Sequence, residues 1–222
     1  MELKAVLWDL DGTLVDSSEY HWRAWRDTMR AEGVDITYRQ FVDSFGQRND
    51  RILTAWLGSA VTPDRIGRIG DAKEALYRRL AREEGLRGLP GARLWIDRLR
   101  RDGWRQAIAS SAPRANVDAV LEALGLADTI DVVVSAEDVS VGKPDPEVFL
   151  LAAARLETPP TRCIVVEDAA MGVEAARRAG MRSIGVNAHM RLDADISVGS
   201  LADLPADAFE RLLVLAPSGQ RQ

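Results

Sequence analysis

The chain has 222 residues, of which 46% are hydrophobic and 28% are charged. This length and composition are typical of one large globular domain, or of a domain with a smaller insertion, that buries a core. The 29 basic and 34 acidic residues give a formal net charge of −5 at pH 7. That balance argues against general binding to nucleic acid or to an anionic membrane. It does not exclude a local basic pocket.

The chain contains one cysteine, Cys163, so no internal disulfide can form. This favours a reducing cytoplasm. Cys163 lies in an apolar run, where a buried small hydrophobic residue is the expected interpretation rather than a nucleophile. The N-terminus lacks the pattern of a signal peptide, and no apolar run reaches membrane-spanning length. We therefore expect a cytoplasmic protein, and a monomer.

The first predicted element is a short buried strand, Ala5–Trp8, that ends in two carboxylates. Asp9 and Asp11 follow it with one residue between them, and Gly12 then marks a turn. Side chains two residues apart at a strand end point the same way, so Asp9 and Asp11 can share one small site. The alternative is ordinary strand-to-turn chemistry, because Asp and Gly are both turn formers.

A stretch of helical patterns follows, and it contains no predicted strand. Its apolar residues keep helical spacing, and a linker rich in helix breakers at residues 85–91 ends the stretch. The predicted helices cover residues 17–32, 37–44, 50–57 and 63–84.

After the linker, predicted helices alternate with predicted strands, which is typical of a doubly wound, parallel α/β sheet. The helical stretch interrupts this sheet after its first strand. The sequence therefore predicts an α/β core of residues 1–16 and 88–222 with an inserted all-helical cap of residues 17–87, and hinges near residues 14–17 and 85–91. The predicted core strands cover 106–110, 132–135, 163–167, 183–187 and, more weakly, 196–198; the helices cover 92–102, 115–124, 146–156, 172–179 and 206–215, before a polar tail at 217–222.

Polar residues occur at the carboxyl ends of several predicted strands, where ligands bind in an open parallel sheet. Each pair has an ordinary alternative: serines cap helices, Glu-Asp suits a helix N-terminus, and Gly-Lys-Pro is typical of a loop. Their joint placement at one edge of one sheet favours a functional site. The residues concerned are Asp9 and Asp11, Ser110 and Ser111, Lys143, and Glu167 and Asp168.

These residue types suit phosphoryl transfer. Carboxylates that converge from two strands form the oxygen-rich site that Mg²⁺ prefers. A serine hydroxyl and a lysine opposite can hold phosphate oxygens, and an aspartate can attack phosphorus to give a phosphoaspartate. The chain uses lysine only three times among its 29 basic residues, which favours a specific role for Lys143.

The four motifs together resemble the haloacid dehalogenase superfamily, over essentially the whole chain. The resemblance implies that Asp9 is the nucleophile and that Asp11 is the general acid/base and binds Mg²⁺ through its backbone carbonyl. It implies that Ser110 and Lys143 hold the transferring phosphoryl group, with Ser111 beside them. Dehalogenases of the superfamily lack the second aspartate, so Asp11 argues against that activity. In the remaining motif, Asp168, supported by Glu167, would complete the metal site with Asp9.

Within the superfamily, the cap segment resembles the β-phosphoglucomutase-like group. His21 stands in a stretch like that group's first cap helix, and Lys73 resembles its cap lysine. Arg48 resembles its cap arginine, which can bind a second, non-transferring phosphate. The mutases normally carry serine just before that arginine, whereas this chain has Gln47, which puts mutase activity in doubt. The alternatives are a capping or packing role for His21, and exposed surface positions for Arg48 and Lys73.

These observations lead to three hypotheses. The first is a Mg²⁺-dependent phosphatase that acts on a small phosphorylated metabolite, such as a sugar phosphate. The second is a phosphohexomutase with the same chemistry, and the third is a non-catalytic binding module, which the intact motifs disfavour. The sequence also predicts that Arg48 and Lys73 face Asp9 across a closed cleft, with His21 near the hinge.

Overall fold

A six-stranded parallel sheet organises residues 3–214, the part of the chain that the computed structural model describes. The strand order is β3-β2-β1-β4-β5-β6, so β1 lies in the middle between β2 and β4. In this register Trp8, the last residue of β1, pairs with Ile108 and Val166, and the three strands end at one edge. The strands are β1 (Ala5–Trp8), β2 (Arg105–Ala109), β3 (Val132–Val134), β4 (Cys163–Glu167), β5 (Arg182–Val186) and β6 (Ile196–Val198).

The pleat of β1 explains why helices cover both faces of the sheet. Val6 and Trp8 contribute to one apolar cluster, and Ala5 and Leu7 contribute to the other. Because alternate side chains point to opposite faces, a fully apolar strand needs helices on both sides. One cluster takes in α5 (Ala92–Arg101), α6 (Arg114–Ala123) and α9 (Ala208–Val214); the other takes in α7 (Glu147–Arg155) and α8 (Ala170–Arg178).

The cap consists of four helices inserted between β1 and α5. They enclose a third apolar cluster, in which Trp25, Met29, Phe41 and Leu53 are almost completely buried. The predicted doubly wound α/β fold with an inserted helical cap is thereby confirmed. The cap helices are α1 (Ser18–Ala31), α2 (Tyr38–Ser44), α3 (Asn49–Leu57) and α4 (Pro63–Glu84).

Two connections join the cap to the core, and they run side by side. The Asp16 amide donates to the Arg87 carbonyl at 3.0 Å, and the Leu89 amide donates to the Leu14 carbonyl at 2.9 Å. The predicted domain limits and hinges fall within these connections, and they stay predictions.

Most predicted elements occur within one or two residues of their expected limits. The last predicted helix begins two residues later than expected, at Ala208, and its predicted end at residue 215 lies outside the described residues, as does the predicted tail. Within residues 3–214, no helix combines the length and apolar character needed to cross a membrane.

Candidate active site

Asp9 and Gly12 form the centre of the site, directly after β1. The Asp9 amide donates to the Val166 carbonyl at 2.9 Å, so Asp9 continues the sheet next to β4. Gly12 has φ +83°, and a Cβ there would lie 2.1 Å from Asp168 Oδ2. Glycine is therefore required for both the turn and the close approach of Asp168.

Three carboxylates converge next to this turn. Oxygen atoms of Asp9, Glu167 and Asp168 all lie within 4.8 Å of one another. Burial raises the pKa of Asp9 to about 7, against the attraction of Lys143. Burial, Glu167 and Asp9 together raise the pKa of Asp168 well above its ordinary value. This excess of buried negative charge, on hard oxygen donors, fits a divalent cation such as Mg²⁺.

Lys143 is the cation that this cluster already contains. Its Nζ donates to Asp9 Oδ1 at 2.5 Å and to Glu167 Oε1 at 2.6 Å, and the lysine is 5% exposed. Burial disfavours the charged ammonium, but the two carboxylates outweigh that effect and raise the pKa of Lys143. Lys143 therefore stays charged beside the proposed nucleophile.

Ser110 lies opposite, at the end of β2. Its Oγ accepts a hydrogen bond from the Ala112 amide at 3.0 Å, which leaves the hydroxyl proton free to be donated. Ser110 and Ser111 both line the same cavity as Asp9. These positions suit donors to phosphate oxygens.

The Asp11 side chain turns away from the carboxylate cluster and toward the cap. Asp11 Oδ1 accepts from Ser17 Oγ at 2.6 Å and lies 3.2 Å from His21 Nε2. Burial would raise the pKa of Asp11, but His21 and Ser17 outweigh it and hold the pKa below its ordinary value. Metal binding by Asp11 was predicted for its backbone carbonyl, and it stays a prediction.

His21 connects Asp11 to Lys73, as part of a chain of hydrogen bonds from the cap. Lys73 Nζ lies 2.8 Å from His21 Nδ1, and the imidazole stacks on Tyr77 with ring centroids 4.0 Å apart. Because an ammonium only donates, Nδ1 accepts and Nε2 carries the proton donated to Asp11. Lys73 and His21 line the same cavity as Asp9.

Arg48 does not lie opposite Asp9, where the sequence predicted it. Its Nη1 donates to the Ala136 carbonyl at 2.6 Å and to the Val139 carbonyl at 2.9 Å, so it ties the cap to the core. Arg48 immediately precedes α3 in an extended conformation, and its stem packs against Gly142, where a Cβ would lie 2.8 Å from Arg48 Cδ. Arg48 lines a neighbouring cavity, whereas the next residue, Asn49, lines the cavity that contains Asp9.

Glu74 was not singled out by sequence reasoning. It is 5% exposed and accepts hydrogen bonds from Lys73 and Asn49 of the cap and from Asn116 of the core. A signal for it exists in the sequence. Positions 70, 73, 74, 77 and 81 repeat at helical spacing and form a buried face of α4, so charges at 73 and 74 stand within a buried stripe.

Comparison with known proteins gives the family. The model for haloacid dehalogenase-like hydrolases matches residues 3–180. The chain belongs to this family. The haloacid dehalogenase-like resemblance inferred from the four motifs is thereby confirmed, and so is the prediction that the chain is an enzyme of a hydrolase family.

Several relatives of this hydrolase match along nearly their whole length. Protein CbbY of Rhodobacter capsulatus is 32% identical over 223 residues, which cover 96% of this chain and 98% of that protein. Hexitol phosphatase B of Escherichia coli K12 is 33% identical, with 92% and 96% covered. The crystal structure of β-phosphoglucomutase from Clostridium difficile superposes with a TM-score of 0.86 at 27% identity, with 95% and 97% covered.

Proposed function

We propose that the protein is a Mg²⁺-dependent phosphatase that hydrolyses a small phosphomonoester of the sugar or sugar-alcohol class. The observation that carries the proposal is the cluster of Asp9, Glu167, Asp168 and Lys143 at one sheet edge, with Ser110 opposite. Relatives named as phosphatases of such substrates support it. The charge balance and single buried cysteine favour a cytoplasmic protein, and we expect a monomer.

In the proposed reaction, an Asp9 carboxylate oxygen attacks phosphorus and the ester bond breaks, which gives a phosphoaspartate. Asp11 gives a proton to the leaving oxygen, and the negative substrate phosphate nearby raises the proton affinity of Asp11 for this task. Asp11 then takes a proton from the water that attacks the phosphoaspartate. The lowered pKa of Asp11 favours the ionised form that this second step needs.

Lys143 and Ser110 hold the phosphoryl oxygens during both steps. Lys143 balances the charge of Asp9, which would otherwise repel the anionic phosphate. Mg²⁺, held by Asp9, Asp168 and the Asp11 carbonyl, would supply further neutralisation of the phosphate charge. Glu167 accepts from Lys143 and from the Ala169 amide, so it orients the lysine.

Metal removal provides the first test. Phosphate release from a panel of phosphorylated sugars and sugar alcohols should stop when EDTA is added, because the substrate phosphate loses the charge neutralisation that Mg²⁺ would supply beside Lys143. Mg²⁺ added in excess should restore it. The measurement is inorganic phosphate released per minute, with Ca²⁺ as a comparison ion of different size and ligand number. Hydrolysis that continues undiminished in EDTA would contradict metal dependence.

A phosphohexomutase is the second candidate, favoured by the structural likeness to β-phosphoglucomutase. Such an enzyme would transfer the phosphoryl group from Asp9 to a sugar hydroxyl instead of water. Incubation with β-glucose 1-phosphate and a trace of β-glucose 1,6-bisphosphate distinguishes the two. We expect free phosphate, with little glucose 6-phosphate. Glucose 6-phosphate as the main product would establish the mutase instead.

A further inference from the structure

The cap side of the catalytic cavity carries a lysine and a glutamate that neutralise each other. Lys73 and Glu74 are 2% and 5% exposed, and Lys73 Nζ donates to Glu74 Oε1 at 2.9 Å. The same ammonium donates to His21 and lies 5.0 Å from the centre of the Trp25 ring. The Lys73 ammonium, which has three N–H donors, is therefore already engaged by Glu74, by His21 and by the Trp25 ring.

Glu74 is fixed in place as an anion. Its Oε1 also accepts from Asn49 Nδ2 at 2.7 Å, and its Oε2 accepts from Asn116 Nδ2 at 2.5 Å. Burial opposes ionisation, but the charge of Lys73 and the hydrogen bonds from Lys73 and Asn49 hold the pKa of Glu74 below its ordinary value. A charged carboxylate thus lines the cavity above the catalytic aspartates.

The described residues of the cap offer no free cation to a second anionic group in this cavity. Among the described residues that line it, the basic side chains of the cap are His21 and Lys73, and both are engaged. Arg48 is bound to core carbonyls and lines the neighbouring cavity instead. Gln47 and Asn49 add neutral amides to the wall, and Ser44 adds a hydroxyl.

We propose that Glu74 makes the enzyme selective for phosphomonoesters whose other end is uncharged and hydroxylated, and that it disfavours bisphosphates. The inference rests on the proposed phosphatase function. A second phosphate carries about −1.5 to −2 charges at pH 7. Placed beside Glu74 in a partly desolvated cavity, it would find no free cation to balance its charge, because Glu74 already holds Lys73. Hydroxyl groups need no such cation and can donate to the Glu74 carboxylate.

The test compares inhibition constants, so that it does not depend on which ester is the best substrate. Glucose 6-phosphate and glucose 1,6-bisphosphate compete with para-nitrophenyl phosphate, whose hydrolysis is followed. In the wild-type protein the bisphosphate should bind no more tightly than the monophosphate. Glu74→Gln removes the charge and frees Lys73. The inhibition constant of the bisphosphate should therefore fall by about tenfold or more relative to that of the monophosphate.

Two variants serve as controls. Glu74→Asp keeps the charge and should keep the wild-type ratio. Glu83→Gln changes the net charge equally at an exposed position on the same helix and should also leave the ratio unchanged. An unchanged ratio in a folded Glu74→Gln protein would overturn the role of Glu74 while the phosphatase function stands.

Other outcomes separate the two proposals. A wild-type bisphosphate constant about tenfold below that of the monophosphate would overturn the selectivity proposal, whatever the variants do. A Glu74→Asp ratio that shifts like the Glu74→Gln ratio would show that side-chain length, and not charge, decides, and would also overturn it. Absence of hydrolysis of any ester by the wild-type protein with Mg²⁺ would overturn the phosphatase function itself.

Discussion

Replacement of Asp9 by asparagine is expected to abolish phosphate-ester hydrolysis and to leave the fold intact. Asparagine has nearly the same shape as aspartate but lacks the anionic oxygen that would attack phosphorus. Loss of a covalent nucleophile costs about 10⁴-fold or more in kcat. The measurement is phosphate release by purified protein with saturating Mg²⁺, on the best substrate of the panel and on para-nitrophenyl phosphate.

Thermal unfolding without metal checks that the fold survives. The pKa of Asp9 rises from 3.8 to about 7 on folding, so its ionisation costs stability, and this cost grows as the pH rises from 4 to 7. The asparagine side chain cannot ionise, so the Asp9→Asn variant lacks this cost, and Lys143 keeps Glu167 as its partner. We therefore expect an unfolding temperature at pH 8 no lower than that of the wild-type protein.

Asp128→Asn is the matched control for this substitution. Asp128 is exposed in the loop before β3, away from the sheet edge that carries Asp9, so this variant should keep wild-type turnover. Substantial Mg²⁺-dependent turnover by a folded Asp9→Asn protein would refute the assignment of Asp9 as the nucleophile.

The sequence predicts the core side of the site well because parallel strands impose the geometry. Once Ala5–Trp8 is recognised as a central strand, the residues after it and after its neighbours must meet at one edge. The structure shows this for Asp9, Ser110 and Glu167, which follow or end β1, β2 and β4. The placement of these residues depends on the order of strands and helices, which the hydrophobic pattern of the sequence reveals, and not on details of side-chain packing.

The cap side is less predictable because the positions of its side chains depend on how two domains meet. Arg48 immediately precedes α3, and its side chain binds the core carbonyls of Ala136 and Val139 instead of lining the cavity next to Asp9. Glu74 is stabilised by Asn116, which is 42 residues away on α6. No local pattern encodes either partner.

Replacement of Lys143 by glutamine is expected to reduce kcat/KM by about 10²–10³-fold, the usual cost of removing one preorganised donor to a charged transition state. Glutamine can still donate hydrogen bonds but carries no charge. Asp9 and Glu167 would then share a buried site with no lysine between them, and the substrate phosphate would meet unscreened carboxylates. The measurement is kcat/KM with saturating Mg²⁺ over a range of pH.

The pH profile distinguishes this electrostatic role from a merely structural one. Lys143 lowers the pKa of Asp9 against the effect of burial, so its removal should raise that pKa. The proposed attack requires ionised Asp9, and the acidic limb of the profile should therefore move to higher pH. Without metal, the unfolding temperature should fall more at pH 8 than at pH 5, because protonation of Asp9 at low pH removes the uncompensated charge.

Lys4→Gln is the control that removes the same charge elsewhere. Lys4 precedes β1 at the opposite edge of the sheet, where its Nζ lies 4.7 Å from the centre of the Trp104 ring. Its loss should leave the acidic limb in place, since it does not contact the carboxylate cluster. If Lys143→Gln and Lys4→Gln shift the limb equally, the shift reflects net charge. A lysine that acted only as a packing residue would lower activity without moving the limb, and that result would remove Lys143 from the charge balance on which the proposed attack by Asp9 depends.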